Sequence, residues 1–149
     1  MRRLMSVMSG LMLAAGLVLV CAPPVSAQTG LEGSWNATRA ERDGKAADDV
    51  VGHRLAFAGN RFEIRSNDGK TLYAGTFRTD PRAKPAAIDF ANTRGAAKGR
   101  AWQGIYTLEC DMLTICDNAP NPRKRRPAAF EAKRASGYVL VTFARARQP

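Results

Sequence analysis

Ala101-Trp102-Gln103-Gly104-Ile105-Tyr106-Thr107-Leu108-Glu109-Cys110-Asp111-Met112-Leu113-Thr114-Ile115-Cys116-Asp117 reads as two β-strands folded back on each other. Trp102, Gly104, Tyr106 and Leu108 occupy alternate positions, so they share one face of the first arm. A tight turn at Cys110-Asp111 sets Glu109 opposite Met112, Leu108 opposite Leu113 and Tyr106 opposite Ile115. Opposed residues of an antiparallel pair point to the same side, so Leu113 and Ile115 extend the apolar face. The hairpin therefore predicts an antiparallel sheet with one side buried.

The flanking sequence repeats the pattern. Leu55 and Phe57 alternate with Arg54 and Ala56, and Arg61-Phe62-Glu63-Ile64-Arg65 alternates apolar with charged. Asn67-Asp68-Gly69-Lys70 is a hairpin signal, read as a two-residue Asp-Gly turn. Tyr73, Gly75 and Phe77 share a face, a proline-bounded loop covers 80–85, and Ile88 and Phe90 mark a short strand. Pro120, Pro122 and Pro127 exclude a central strand after Cys116. A strand carrying Phe130 and Ala132 is predicted beyond that loop, and a strand from Tyr138 to Phe143, apolar on both faces, closes the fold. Regularly spaced short strands in series predict an all-β, antiparallel, up-and-down barrel of about 8–9 strands. Closure also removes the exposed edges of such a sheet.

The N-terminus reads as an export signal. Arg2 and Arg3 form a positive n-region, Leu11 to Val20 an apolar core, and Val25-Ser26-Ala27 a cleavage site. A signal peptide over 1–27 followed by one domain over 28–149 is the resulting division, with a periplasmic or secreted product. The apolar run is shorter than the roughly 20 residues a membrane-spanning helix needs, so the processed product is not expected to be transmembrane. Lipidation at Cys21 is disfavoured by the bulky Val20 before it. Without Arg2 and Arg3 the 23 Lys and Arg fall to 21 against 13 Asp and Glu, a formal charge of +8. In an exported protein such a balance suits anionic lipid, cell-wall polymer or an acidic protein rather than nucleic acid.

Functional motifs are sparse. His53 is the single histidine, which leaves no zinc set, and no phosphate loop or nucleophile motif is present. No catalytic residue, metal or cofactor is expected, and a non-enzymatic binding domain is the reading that remains. The run Arg123, Lys124, Arg125 and Arg126 is the candidate contact for an anionic partner, because four adjacent cations repel one another. An envelope protein-interaction or inhibitor module, or a carrier of a small hydrophobic ligand, is the alternative. Trp35, Gly75, Trp102, Gly104 and Tyr106 are the candidate barrel-mouth or pocket residues, the two glycines being the inward positions that leave room. The rest of the interior, rich in aromatic rings, is expected to be mostly filled. Cys110 in the turn and Cys116 down one arm lie roughly 20 Å apart at strand rise. A disulfide needs Cα atoms within about 7 Å, so two free thiols are expected.

A set of segments also carries a resemblance. They are Leu31-Glu32-Gly33-Ser34-Trp35, Glu41-Arg42-Asp43-Gly44-Lys45, Gly75-Thr76-Phe77 running on to Asp80-Pro81, and Lys84-Pro85-Ala86-Ala87-Ile88-Asp89. Gly104-Ile105-Tyr106-Thr107-Leu108 and Leu113-Thr114-Ile115-Cys116 complete it. In this order the chain resembles an uncharacterised family of small lipocalin-like bacterial domains found in quantity in planctomycetes. The likeness departs at Cys110, where the family usually has glycine, and in the basic loop. It implies an exported lipocalin-like barrel in which a tryptophan such as Trp35 closes one end, and it supplies no catalytic residues.

Overall fold

The computed structural model describes residues 30–147, so the expected signal segment lies outside the described residues. Nine strands follow in order: β1 (Gly33–Arg42), β2 (Lys45–Ala46), β3 (Arg54–Ala58), β4 (Arg61–Arg65), β5 (Thr71–Asp80), β6 (Ala87–Asn92), β7 (Ala101–Glu109), β8 (Met112–Asp117) and β9 (Val139–Arg145). Each of β3 to β9 pairs antiparallel with its chain neighbour, β1 pairs with β3, and β1 also pairs with β9. The result is an eight-stranded, lipocalin-like up-and-down barrel, with β2 as a short addition to the end of β1. Closure spends every edge of the eight strands on a neighbour, which is why strands of five to ten residues suffice.

The β7–β8 hairpin has the register its alternation predicts, with Glu109 opposite Met112, Leu108 opposite Leu113 and Tyr106 opposite Ile115. Cys110 takes the left-handed conformation that the turn demands, at φ 53°. The turn at residues 67–69 differs from expectation. Ser66 N–H bonds to the Lys70 carbonyl, so the loop holds three residues, and Gly69 alone takes positive φ.

The inward faces merge into one core containing Trp35, Leu55, Phe57, Phe62, Phe77, Ile88, Phe90, Trp102, Tyr106, Leu113, Ile115, Val141 and Phe143. Ile64, Tyr73 and Leu108 pack against it from less enclosed positions. Phe130 does not belong there, and this corrects the predicted strand. Residues 118–138 contain no strand; three prolines keep the segment irregular, and it folds back across the outside of the barrel. The outward residues Ile105 and Cys116, paired across β7 and β8, are buried, as are Pro127 and Ala132 of the overlying segment. Leu140 of β9 lies in the same row, opposite Cys116, which explains a final strand that is apolar on both faces.

One end of the barrel is plugged. Trp35 is fully buried and its indole N–H donates to the Leu31 carbonyl at 2.8 Å. Arg145 stands opposite Trp35 in the β1–β9 pairing and stacks its guanidinium 4.1 Å from the centre of the ring. The same guanidinium donates to the Gly30 and Glu32 carbonyls and to the Asp111 carboxylate, each at 2.9 Å. One side chain thus ties together the start of the first strand, the β7–β8 turn and the end of the last strand. Replacing it removes a stack and three charge-assisted bonds. Arg145→Ala is expected to lower stability by about 2 kcal/mol in urea unfolding. Arg145→Lys should recover little, because an ammonium lacks the planar fork. A loss below about 0.5 kcal/mol in both variants, the size of an ordinary surface change, would contradict this assignment.

Candidate functional site

The opposite end is open. There the interior widens into a cavity of about 310 Å³, whose walls include Leu55, Tyr73, Phe90, Trp102, Ile115, Val141 and Phe143. This volume stands at the lower end of what small-molecule sites occupy. The expectation of a mostly filled interior is corrected here, and the reason lies in how the rings pack. Trp102 stacks on Phe90 at 5.2 Å and meets Phe62 and Tyr73 edge-on at 5.6 and 5.3 Å. The aromatic side chains of β4 to β7 satisfy one another along one wall, while the facing strands β8 and β9 contribute Ile115, Val141 and Phe143. The lumen between them stays unfilled.

The rim is polar. Arg42, Asp49, His53, Arg100 and Asp117 line it together with Ala119 and Pro120. Arg42 is neutralised by Asp49, its guanidinium reaching both carboxylate oxygens at 3.0 and 3.1 Å. Arg100 lies over the Tyr73 ring, 5.9 Å from its centre, and donates to the Ala119 carbonyl. Asp117 sits two residues beyond Ile115, on the inward face of β8. Its Oδ1 accepts the Ala119 N–H at 2.9 Å, and this is its one hydrogen bond among the described residues. Asp117 is the site's least ordinary group. Enclosure by apolar neighbours pushes its carboxyl up to about 7, with the Ala119 amide and the charge of Arg100 pulling only partly the other way.

Gly104 makes this placement possible. It pairs with Asp117 across the β7–β8 ladder, and a Cβ on it would come within 2.8 Å of the Asp117 Cβ. The missing side chain leaves its space to an aspartate rather than to a pocket. Gly75 serves a similar end, since a Cβ there would stand 1.9 Å from the Ala91 carbonyl oxygen. Both glycines let strands approach closely, and neither lines the cavity. Beyond Asp117, Asn118 is buried and holds the chain in place. Its carbonyl oxygen accepts the Gln103 N–H, and its amide donates to the Lys124 carbonyl.

Of the five expected pocket residues, Trp102 alone lines the cavity. Trp35 belongs to the plugged end, and Tyr106 is a core residue whose hydroxyl is buried without a hydrogen-bond partner among the described residues. The basic run divides. Arg123, Lys124 and Arg125 are exposed and form no ion pair among the described residues, whereas Arg126 turns inward. Its guanidinium donates to the Gly104 and Ile88 carbonyls at 2.8 and 3.2 Å and meets the Asp89 carboxylate at 2.7 Å. Arg126 therefore pins the outer loop against β6 and β7.

The cysteines also part company. Cys116 is a free, buried thiol donating weakly to the Glu131 carbonyl, and burial pushes it up to about 11. Cys110 is disulfide-bonded, which corrects the expectation of a second free thiol.

Two charged residues that matter, Asp117 and Arg145, escaped the sequence reading because the apolar alternation was followed only through its apolar members. Continuing the same two-residue step from Leu113 and Ile115 reaches Asp117, and from Val141 and Phe143 it reaches Arg145. Compared with protein-family models, curated proteins and solved structures, the chain gives no match.

The raised Asp117 carboxyl has a consequence for stability. The folded protein holds this proton to higher pH than the unfolded chain does, so the contribution is complete below about pH 4 and is lost as pH rises to about 7. Wild-type stability relative to Asp117→Asn should fall across that window, by about 1–3 kcal/mol after allowing for partial exposure to the cavity. It should then stay level above pH 7.5. Urea unfolding of both proteins from pH 4 to 8 measures it, and parallel profiles would refute the assignment.

Proposed function

We propose that this protein is an exported, lipocalin-like binding protein that takes a small, largely apolar ligand into the open end of its barrel. The cavity carries the reading: a concave, aromatic-walled space bounded by a few polar groups is the usual form of a small-molecule site. Export follows from the N-terminal charge, apolar run and small-residue cleavage site. The ordered segments that resemble the planctomycete lipocalin-like domains support the same reading. The closed end contributes indirectly. Trp35 and Arg145 fill one end, which leaves the opposite mouth as the way in for a guest.

A neutral aromatic probe tests this directly. N-phenyl-1-naphthylamine should show a saturable rise in fluorescence with the wild-type protein. Val139 packs against the core at the mouth, so Val139→Trp should obstruct entry without disturbing the deeper layers. At least about tenfold weaker binding is expected in that variant, equivalent to about 1.4 kcal/mol. Equal binding by both proteins, or none by the wild type, would contradict the proposal.

A second reading, contact with an anionic surface, is favoured by the exposure of Arg123, Lys124 and Arg125 on the outer loop. Replacing these three with Ser, while keeping Arg126, should abolish salt-sensitive retention on vesicles containing phosphatidylglycerol. Retention that survives the triple replacement would place any such contact elsewhere.

A further inference from the structure

The cavity contains one feature that a purely apolar guest would leave unused. Asp117 presents a carboxylate where the polar rim meets the aromatic wall of the cavity, and a backbone amide on Oδ1 is its one side-chain hydrogen bond among the described residues. An ionised carboxylate has about four acceptor positions, so most of its capacity is left unused at the cavity wall. Burying such a group without partners is costly, and a positively charged donor is the partner that best offsets the cost.

The surrounding charges determine which kind of ligand this arrangement suits. From β1 comes Arg42, and from the β1–β3 connection Asp49, which neutralises it, and His53. The segment entering β7 supplies Arg100, and β5 supplies the Tyr73 phenol. The guanidinium of Arg100 is already engaged, stacked on Tyr73 and bonded to the Ala119 carbonyl. An incoming anion would meet the Asp117 carboxylate, whose charge Arg100 offsets only in part. An incoming cation would meet that carboxylate beside the Trp102 and Phe90 rings, whose π-electrons favour positive charge. Arg100 already illustrates the arrangement at the rim: a cation held between an aromatic ring and a carbonyl.

Building on the small-ligand reading, we propose that the barrel selects a compact apolar ligand bearing a protonated amine, and that Asp117 is the residue that recognises the amine. The body of the ligand lies against Trp102 and Phe90, and its ammonium group donates to the Asp117 carboxylate. Arg100 opposes this charge from the rim and sets a limit on affinity rather than supplying it. The recognition strengthens as Asp117 ionises, so the preference for amines grows as pH rises through about 7.

The test compares three ligands of one shape by calorimetry at pH 8: 2-(1-naphthyl)ethylamine, 1-naphthaleneethanol and 1-naphthaleneacetate. The wild-type protein should bind the amine about tenfold or more tightly than the alcohol, as expected for a charge-assisted bond in a sheltered site. In Asp117→Asn that preference should vanish while the alcohol stays within about twofold of its wild-type affinity, which also shows that the variant is folded. Arg100→Ala should keep the preference and bind the amine more tightly. An amine no tighter than the alcohol, or a preference that survives Asp117→Asn, overturns the inference about Asp117 and leaves the small-ligand reading standing. Tightest binding of the acetate, lost in Arg100→Ala, would assign recognition to Arg100 and overturn it as well. Binding of none of the three would overturn both readings.

Discussion

The contact between Trp35 and Arg145 settles the shape of everything else in the molecule. Closing an antiparallel sheet into a barrel requires the first and last strands to meet in register, and here they meet over seven residue pairs with one bulge after Ala37. Pairing alone leaves two open ends. The stacked guanidinium and indole fill one of them, and hydrogen bonds from Arg145 to the Gly30 and Glu32 carbonyls draw the chain across that rim. Leu31, fully buried, completes the plug. The pairing of β1 with β9 runs on to Arg42 and Val139 at the open rim, where the barrel holds both a cavity and a half-buried carboxylate.

The two ends also differ in how polar groups are treated. At the plugged rim, charges are satisfied: Arg145 has three acceptors and a ring. At the open rim, one ion pair is satisfied, Arg42 with Asp49, while Asp117 has a single amide. Stability alone gives no reason to keep a desolvated carboxylate beside aromatic walls, and an apolar residue at that position would cost less. The buried amides of Asn92 and Asn118 each make two side-chain hydrogen bonds, whereas the Asp117 carboxylate accepts one. Groups of this kind concentrate where ligands bind.

The barrel was legible in the sequence because a period-two pattern reports which face is buried, and the pattern here is strong. The Trp102–Leu108 and Leu113–Ile115 alternations specify both the hairpin and its register. Features that depend on distant residues were harder to read. Local alternation around Phe130 suggested a strand, but no free edge remains for it once β8 pairs with β9, so that segment became an outer covering. The glycines at 75 and 104 looked like vacancies because sequence shows what a residue lacks and not which neighbour takes the space. The cavity depends on aromatic rings stacking against one another rather than across the lumen, a choice of geometry that composition does not encode. Arg126 appeared as one of four equivalent cations, and only the fold distinguishes it by bringing Asp89 beside it.

The two ends of the barrel differ, and the two tryptophans stand one near each. Trp35 donates its indole N–H to Leu31 in the plug, and Trp102 lines the cavity. Titrating 1-naphthaleneethanol into nitrogen-15-labelled protein and following both indole N–H resonances by NMR separates the ends in a single experiment. The Trp102 signal should shift saturably while the Trp35 signal stays in place. A shift at Trp35 with none at Trp102, or no shift at either, would contradict the view that this barrel is closed at one end and receptive at the other.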